Sequence, residues 1–347
     1  MISSLLLAAV LVANSNRVWT AESCDLGFDP AAIAVGERCP DDFDGYWRGE
    51  RERLRRDVPL AAKCENWEAK SVAGKYDYYR VSFATFGGKR VYGFLSVPAK
   101  GSGPFPALVN IPGYGQWTVG QGGAAAMRIP DGWITLQMNV HPFDPPERQA
   151  DFSSRYREQA AALKAKYGGC GNYPSAGWEV SREDVFYQDI LLGIDRAVDW
   201  LAARGDVDAR RIVYDGTSQG GGLGLMLCAL NGRFSKAAIY VPALCDHFGW
   251  KANRRCGWPH LMDRADSARR AALAGTAPYY DAVHFAARLR IPVRFAVGLA
   301  DTTCPPESVY AAYNALPSAD KAIVNGLGMP HRVYDSVRAA LEKWELE

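Results

Sequence analysis

At 347 residues, with 48% hydrophobic and 22% charged side chains, the chain can bury the core of one large α/β domain or two modest ones, and its composition is not that of a disordered protein. Forty basic against 38 acidic residues leave a formal net charge of +2, which excludes the broad basic face of a nucleic-acid binder or of a protein held on an anionic membrane. A neutral or small substrate suits that balance.

The first residues, MISSLLLAAVLV, are too short an apolar run to span a bilayer but suit the h-region of a secretory leader, with small residues at Ala13 and Ser15 where cleavage is permitted. We therefore expect a signal peptide over 1–21, a secreted or periplasmic protein, and no membrane attachment of the mature form. No Lys or Arg precedes the apolar run, a departure from the usual leader. All eight cysteines follow the leader, and export would permit disulfides. Short loops between Cys24 and Cys39 and between Cys245 and Cys256 are the expected pairs, with Cys228 a buried thiol. Without a CxxC pair or a close Cys/His cluster, no metal site is expected.

Residues 22–75 read as an N-terminal extension carrying a charged amphipathic helix over 40–57. Residues 76–347 read as one α/β domain. Strands over 78–98 flank the Gly87-Gly88 turn, and strands at 106–112 and 134–140 follow. A helix over 183–204, a strand at 211–216, a helix to Leu230 and a strand at 237–242 continue the alternation. Strands at 292–298 and 321–326 bracket a helix over 306–316, and a last helix runs to the C-terminus. This order predicts a mainly parallel sheet with helices on both faces. Segments 141–182 and 245–281, rich in Pro, Gly, Trp and charge, read as long connections at the carboxyl ends of strands, where ligand crevices form.

Residues 212–222, IVYDGTSQGGG, place Ser218 in a GxSxG turn between a β-branched strand and an apolar helix. In that context the pattern predicts a nucleophile elbow, since a serine hydroxyl needs exposure to a base before it can attack. A plain helix N-cap is the alternative. The chain order Ser, acid, His is met by Asp301 after one predicted strand and His331 after the next, with Asp281 and Asp246 as rival acids. The Gln219 amide, beside the nucleophile, is the expected first oxyanion donor. The second is the Tyr114 amide, between Gly113 and Gly115. His141, Trp117 and Trp258 are candidates for substrate contact, as loop aromatics that can stack on a sugar or line the crevice.

DFDGYW, GTSQGGG with its Gln after the serine, VPALCDHFGW, GWP and DTTCPPESVYAAYNAL together resemble the acetyl xylan esterase and cephalosporin C deacetylase family, carbohydrate esterase family seven of the α/β-hydrolases, over residues 40 to 340. The resemblance implies an α/β-hydrolase fold and serine-dependent removal of O-acetyl groups from acetylated xylan or xylo-oligosaccharides. It further implies Ser218 as nucleophile, His331 as base, Asp301 as orienting acid, and the Tyr114 and Gln219 amides as oxyanion hole. No metal or organic cofactor is implied. A homo-oligomer is, because ring-shaped hexamers are common in that family. The chain departs from the family at His141-Pro142, where many members carry Arg-Gly-Gln, and at His331-Arg332 in place of His-Glu. A general short-chain carboxylesterase or serine peptidase, and a non-catalytic carbohydrate-binding protein, are the rival readings.

Overall fold

A computed structural model of the chain describes residues 10–14, 28–115, 127–169, 172–263 and 265–347. Ten strands form one sheet: β1 (Val10–Asn14), β2 (Lys63–Asn66), β3 (Tyr76–Ala84), β4 (Arg90–Pro98), β5 (Phe105–Ile111), β6 (Ile134–Met138), β7 (Val207–Thr217), β8 (Phe234–Tyr240), β9 (Val293–Gly298) and β10 (Lys321–Gly326). Their spatial order is β1-β10-β9-β8-β7-β5-β6-β4-β3-β2. The run from β6 through β5, β7, β8 and β9 to β10 is parallel, while β2, β3 and β4 add antiparallel strands at one edge. β1, within the apolar run read as a leader, pairs antiparallel with β10 at the other edge. The expected cleavage site after it lies outside the described residues.

The central strands are apolar on both faces because helices cover both. Ile212, Val213 and Tyr214 of β7 are all buried, as are Leu108 and Val109 of β5. The helices are α1 (Phe43–Asp57), α2 (Gln149–Tyr167), α3 (Tyr187–Ala202), α4 (Gln219–Leu230), α5 (Ser267–Ala274), α6 (Ala282–Ala286), α7 (Pro306–Ala315) and α8 (Asp335–Leu346). α4 is buried without a break from Gln219 to Cys228, the pattern of a helix packed on all sides. α1 is no loose extension: Phe43, Tyr46, Trp47 and Leu54 enter the main core, and the Trp47 indole donates to the Tyr279 carbonyl at 3.0 Å.

Two expectations are corrected. The segment 141–182, read as an irregular connection, contains the 19-residue helix α2. Its apolar line of Phe152, Tyr156 and Leu163 is sparse, and only Phe152 is fully buried, so polar residues masked the helical period. Cys245 and Cys256 do not form a disulfide: both are buried free thiols, and Cys245 Sγ donates to the Ala243 carbonyl at 3.3 Å. Those loops are fixed instead by packing, with the Leu244 amide donating to the Trp258 carbonyl at 2.8 Å. Cys228 is a buried thiol as expected, Cys39 is free, and Cys24 lies outside the described residues.

Candidate active site

β7 ends where the chain must turn at once into α4, and Ser218 makes that turn at φ 60°, ψ −119°. A non-glycine residue holds this positive φ only when its surroundings over-determine it. They do here: the Ser218 amide donates to the Tyr240 carbonyl at 2.8 Å, and its carbonyl accepts from the Gly222 and Ala243 amides at 3.0 and 2.9 Å. The flanking glycines are required by closeness. A Cβ on Gly220 would sit 1.9 Å from the Ile111 carbonyl oxygen, and one on Gly216 2.5 Å from that of Gly220.

The turn aims the Ser218 hydroxyl at His331, where it donates to Nε2 at 2.8 Å. His331 Nδ1–H donates to Asp301 Oδ2 at 2.7 Å, and Asp301 Oδ1 accepts the Thr303 and Cys304 amides at 2.8 and 2.9 Å. The loops after β9 and β10 carry this acid and base, and they are tied to each other: the Leu299 amide donates to the Gly326 carbonyl and that of Ala300 to the Met329 carbonyl. Asp301 is buried, whereas His331 and Ser218 retain some access to solvent. The structure thus brings together all three residues proposed for the triad, in the arrangement that lets a serine lose its proton to an oriented imidazole.

The rival acids are occupied elsewhere. Asp281 accepts the Asp246, His247 and Val283 amides at 2.9, 2.8 and 3.0 Å. Asp246 accepts the Gly36 amide at 2.6 Å and a guanidinium nitrogen of Arg254 at 2.7 Å.

Gln219 opens α4, so its amide has no acceptor within the helix and projects from the helix's positive end beside Ser218. The Gly113–Gly115 loop after β5 approaches from the other side: a Cβ on Gly113 would lie 3.8 Å from Ser218 Cβ. Tyr114 is 42% exposed, and its ring packs against Tyr173 and Trp258 at centroid distances of 5.5 and 5.2 Å. An aromatic surface therefore stands beside the nucleophile.

His141, a candidate for substrate contact, is buried with both ring nitrogens engaged. Nε2 lies 3.1 Å from the Gly115 carbonyl oxygen, and Nδ1 lies 3.2 Å from Gln159 Oε1. Both partners are acceptors, so a neutral ring can donate to only one of them; the tautomer protonated on Nε2 satisfies the Gly115 carbonyl. Burial holds the His141 pKa below its usual value, favouring that neutral form. The residue braces the Tyr114 loop from behind. Trp258 is placed at the site, and Trp117 lies outside the described residues.

Asp301, Cys304 and His331 present ligand atoms within 4.8 Å of one another, the one such group among the described residues. The carboxylate and imidazole are already bonded to each other, and burial pushes the Cys304 thiol well above its usual pKa, with the Asp301 charge adding to the rise. A protonated thiol is a poor metal ligand. A separate cleft of about 450 Å³ between α2 and α3, lined by Phe143, Leu163 and Phe186 among others, does not include Ser218, Asp301 or His331.

Sequence reasoning missed Tyr173, Tyr187 and Gln159, which lie behind the site. The Tyr173 and Tyr187 hydroxyls both donate to Gln219 Oε1, at 2.8 and 2.9 Å. No motif marks them, because they act through contacts between segments distant in the chain.

The family model for acetyl xylan esterase (AXE1) matches residues 34–344. The chain belongs to the acetyl xylan esterase family. A curated relative, the acetyl esterase Axe7A of Xylanibacter ruminicola, is 27% identical over 299 residues, covering 86% of this chain. The chain spans only 65% of that relative's length. Among solved structures, the acetyl xylan esterase from Paenibacillus sp. R4 matches with TM-score 0.72 at 23% identity, over 91% of this chain and 98% of its own. Acetyl xylan esterase 1 from Thermoanaerobacterium sp. JW/SL YS485 matches with TM-score 0.73 at 22% identity, over 91% and 96%. These likenesses establish the α/β-hydrolase fold, in agreement with the sheet order and with the parallel strands leading into the elbow. No helix among the described residues is long and apolar enough to cross a membrane.

Proposed function

We propose that this member of the acetyl xylan esterase family is a serine esterase that removes O-acetyl groups from acetylated xylan or xylo-oligosaccharides. The observation that carries the reading is the Ser218–His331–Asp301 relay, with hydrogen bonds of 2.8 and 2.7 Å, at the carboxyl edge of a parallel sheet. Ser218 Oγ attacks the acetyl carbonyl as its proton passes to His331 Nε2, and the Asp301 carboxylate stabilises the imidazolium. The negative charge that develops on the carbonyl oxygen is met by the Tyr114 and Gln219 amides. Collapse breaks the ester bond, and His331 returns the proton to the departing sugar oxygen. Water then attacks the acetyl-enzyme with His331 as base, releasing acetate and restoring Ser218. The Tyr114 and Trp258 rings offer a face on which a sugar ring can stack.

A panel of acetylated xylan, acetylated xylo-oligosaccharide, a cephalosporin, a 4-nitrophenyl butyrate ester and a peptide tests the substrate class. Acetate release from the carbohydrates that outpaces butyrate and peptide cleavage is the expected result. Equal or faster butyrate hydrolysis would make the protein a general short-chain carboxylesterase, and binding of xylo-oligosaccharide without acetate release would make it a carbohydrate-binding protein. Export through a leader over 1–21 belongs to the same proposal. It predicts a mature chain lacking β1, with β10 left as a sheet edge, which N-terminal sequencing of exported protein would reveal.

A further inference from the structure

The two amides assigned to the oxyanion hole belong to different elements, the loop after β5 and the first turn of α4. Their separation must hold to a fraction of an ångström for both to point at one oxygen. We propose that Tyr173 is a positioning residue that fixes this separation. The inference rests on the reading of Ser218 as nucleophile and goes beyond it.

Tyr173 stands between the two elements and touches both. Its hydroxyl donates to Gln219 Oε1 at 2.8 Å. Its ring stacks on Tyr114 at a centroid distance of 5.5 Å and meets the edge of His141 at 4.9 Å. His141 in turn holds the Gly115 carbonyl at 3.1 Å, so the loop that carries Tyr114 is held at the Tyr114 ring by Tyr173 and at the next carbonyl by His141. On the α4 side, the Gln219 amide nitrogen has no partner among the described residues. The polar hold on that side chain therefore runs through Oε1, to Tyr173 and to Tyr187 at 2.9 Å. Tyr173 and His141 are each 1% exposed, and Gln219 and Tyr187 are fully buried. Buried contacts of this kind are not exchanged for water, so the path from the Tyr114 ring through Tyr173 to Gln219 behaves as a fixed spacer. Tyr173 touches no reacting atom. Its effect passes through the two backbone donors, whose strength matters most when charge develops on the carbonyl oxygen.

Tyr173→Phe keeps the ring and its stacking while removing the link. We expect kcat on 4-nitrophenyl acetate to fall about tenfold to a hundredfold, less than the 10²–10³ lost on deleting an oxyanion donor outright. KM should stay within about threefold, since ground-state binding does not use the hole. Affinity for a small boronic acid, which forms a tetrahedral adduct on the serine with one oxygen in the hole, should fall in proportion to kcat. Gln219→Leu deletes the side-chain acceptor but keeps the backbone donor, and it provides a second route if Tyr173→Phe folds poorly. It also removes the Tyr187 bond, so it should show at least that loss, and the double variant should be no worse than Gln219→Leu alone. Tyr173→Phe with kcat and boronate affinity within twofold of the parent, or losses that simply add in the double variant, would overturn the proposal. Ser218→Ala, measured alongside, separates the two levels. If it retains turnover, the nucleophile assignment fails as well; if it is inactive while Tyr173→Phe is unaffected, only the positioning role fails.

Discussion

Ser218 Oγ and His331 Nε2, 113 positions apart in the sequence, lie 2.8 Å from each other: the serine ends β7, and the histidine stands on the loop after β10, which is pinned to the loop after β9 that carries Asp301. The serine is held by backbone bonds to Tyr240, Gly222 and Ala243, and the histidine by its bond to Asp301. Neither depends on a flexible side chain to find its partner.

Removing the histidine should therefore leave the serine in place but unable to lose its proton. His331→Ala should lower kcat on 4-nitrophenyl acetate by about 10³- to 10⁶-fold while the thermal transition stays cooperative. Asp301→Asn should cost about 10⁴-fold, because the amide would favour the wrong imidazole tautomer. Steady-state kinetics on protein with an unchanged circular dichroism spectrum checks both.

The elbow's glycines should be intolerant in proportion to contact, not conformation. Gly220→Ala would drive a Cβ to 1.9 Å from the Ile111 carbonyl, and Gly224→Ala one to 1.9 Å from Tyr214 Cε1. Each should cost at least about 3 kcal/mol of unfolding free energy or prevent folding. Gly232→Ala, with nothing within 4 Å of the added carbon, should leave stability within about 1 kcal/mol. Urea unfolding of the three variants separates these cases.

This contrast also explains how much could be read without coordinates. The elbow, the order of acid and base and the parallel sheet are local patterns: glycines around a serine, apolar runs between helices, a charged residue after each late strand. α2 escaped because its contact stripe is thin, with Phe152 its one fully buried side chain. Tyr173, Tyr187 and Gln159 escaped because a tyrosine hydroxyl bonded to a glutamine in another segment leaves no periodic trace. His141 was legible as a residue near the site but not in its role, since which face a histidine presents depends on what covers it. The same limit applied to Cys245 and Cys256, whose spacing permits a loop closure that packing makes unnecessary.

A buried carboxyl outside the triad should give the protein an unusual pH dependence. Glu345 accepts the Tyr240 hydroxyl at 2.7 Å and pairs with Arg128, close to the buried Asp215. Burial, reinforced by the Asp215 charge, outweighs Arg128 and raises its pKa from 4.5 to about 8. The folded protein then binds more protons than the unfolded chain between those values, so this group's contribution falls as pH rises through about 8. His141, His247 and His284, all lowered by burial, act in the opposite sense: their contribution is present above 6.5 and lost as pH falls. Toward pH 8 these histidines are mostly neutral in both states, so the slope of stability with pH from about 7 to 8 carries the Glu345 contribution. Glu345→Gln should flatten the decline in melting temperature over that interval; an unchanged slope would refute the assignment.

Bracing of the Tyr114 loop predicts a stability cost at His141. His141→Leu would leave the Gly115 carbonyl without its partner, at about 1–3 kcal/mol by urea unfolding. Turnover should fall with it, because the loop carrying one oxyanion donor loses its support. Full stability in the leucine variant would contradict the bracing role.

The most direct test is acetate release from acetylated xylo-oligosaccharide by Ser218→Ala beside the parent enzyme, with labelling of the parent by an organophosphonate located by peptide mass spectrometry. The expected result is loss of essentially all turnover in a normally folded variant, with the label on Ser218 alone. Turnover near that of the parent, or a label on another residue, would contradict the assignment of Ser218 as the nucleophile.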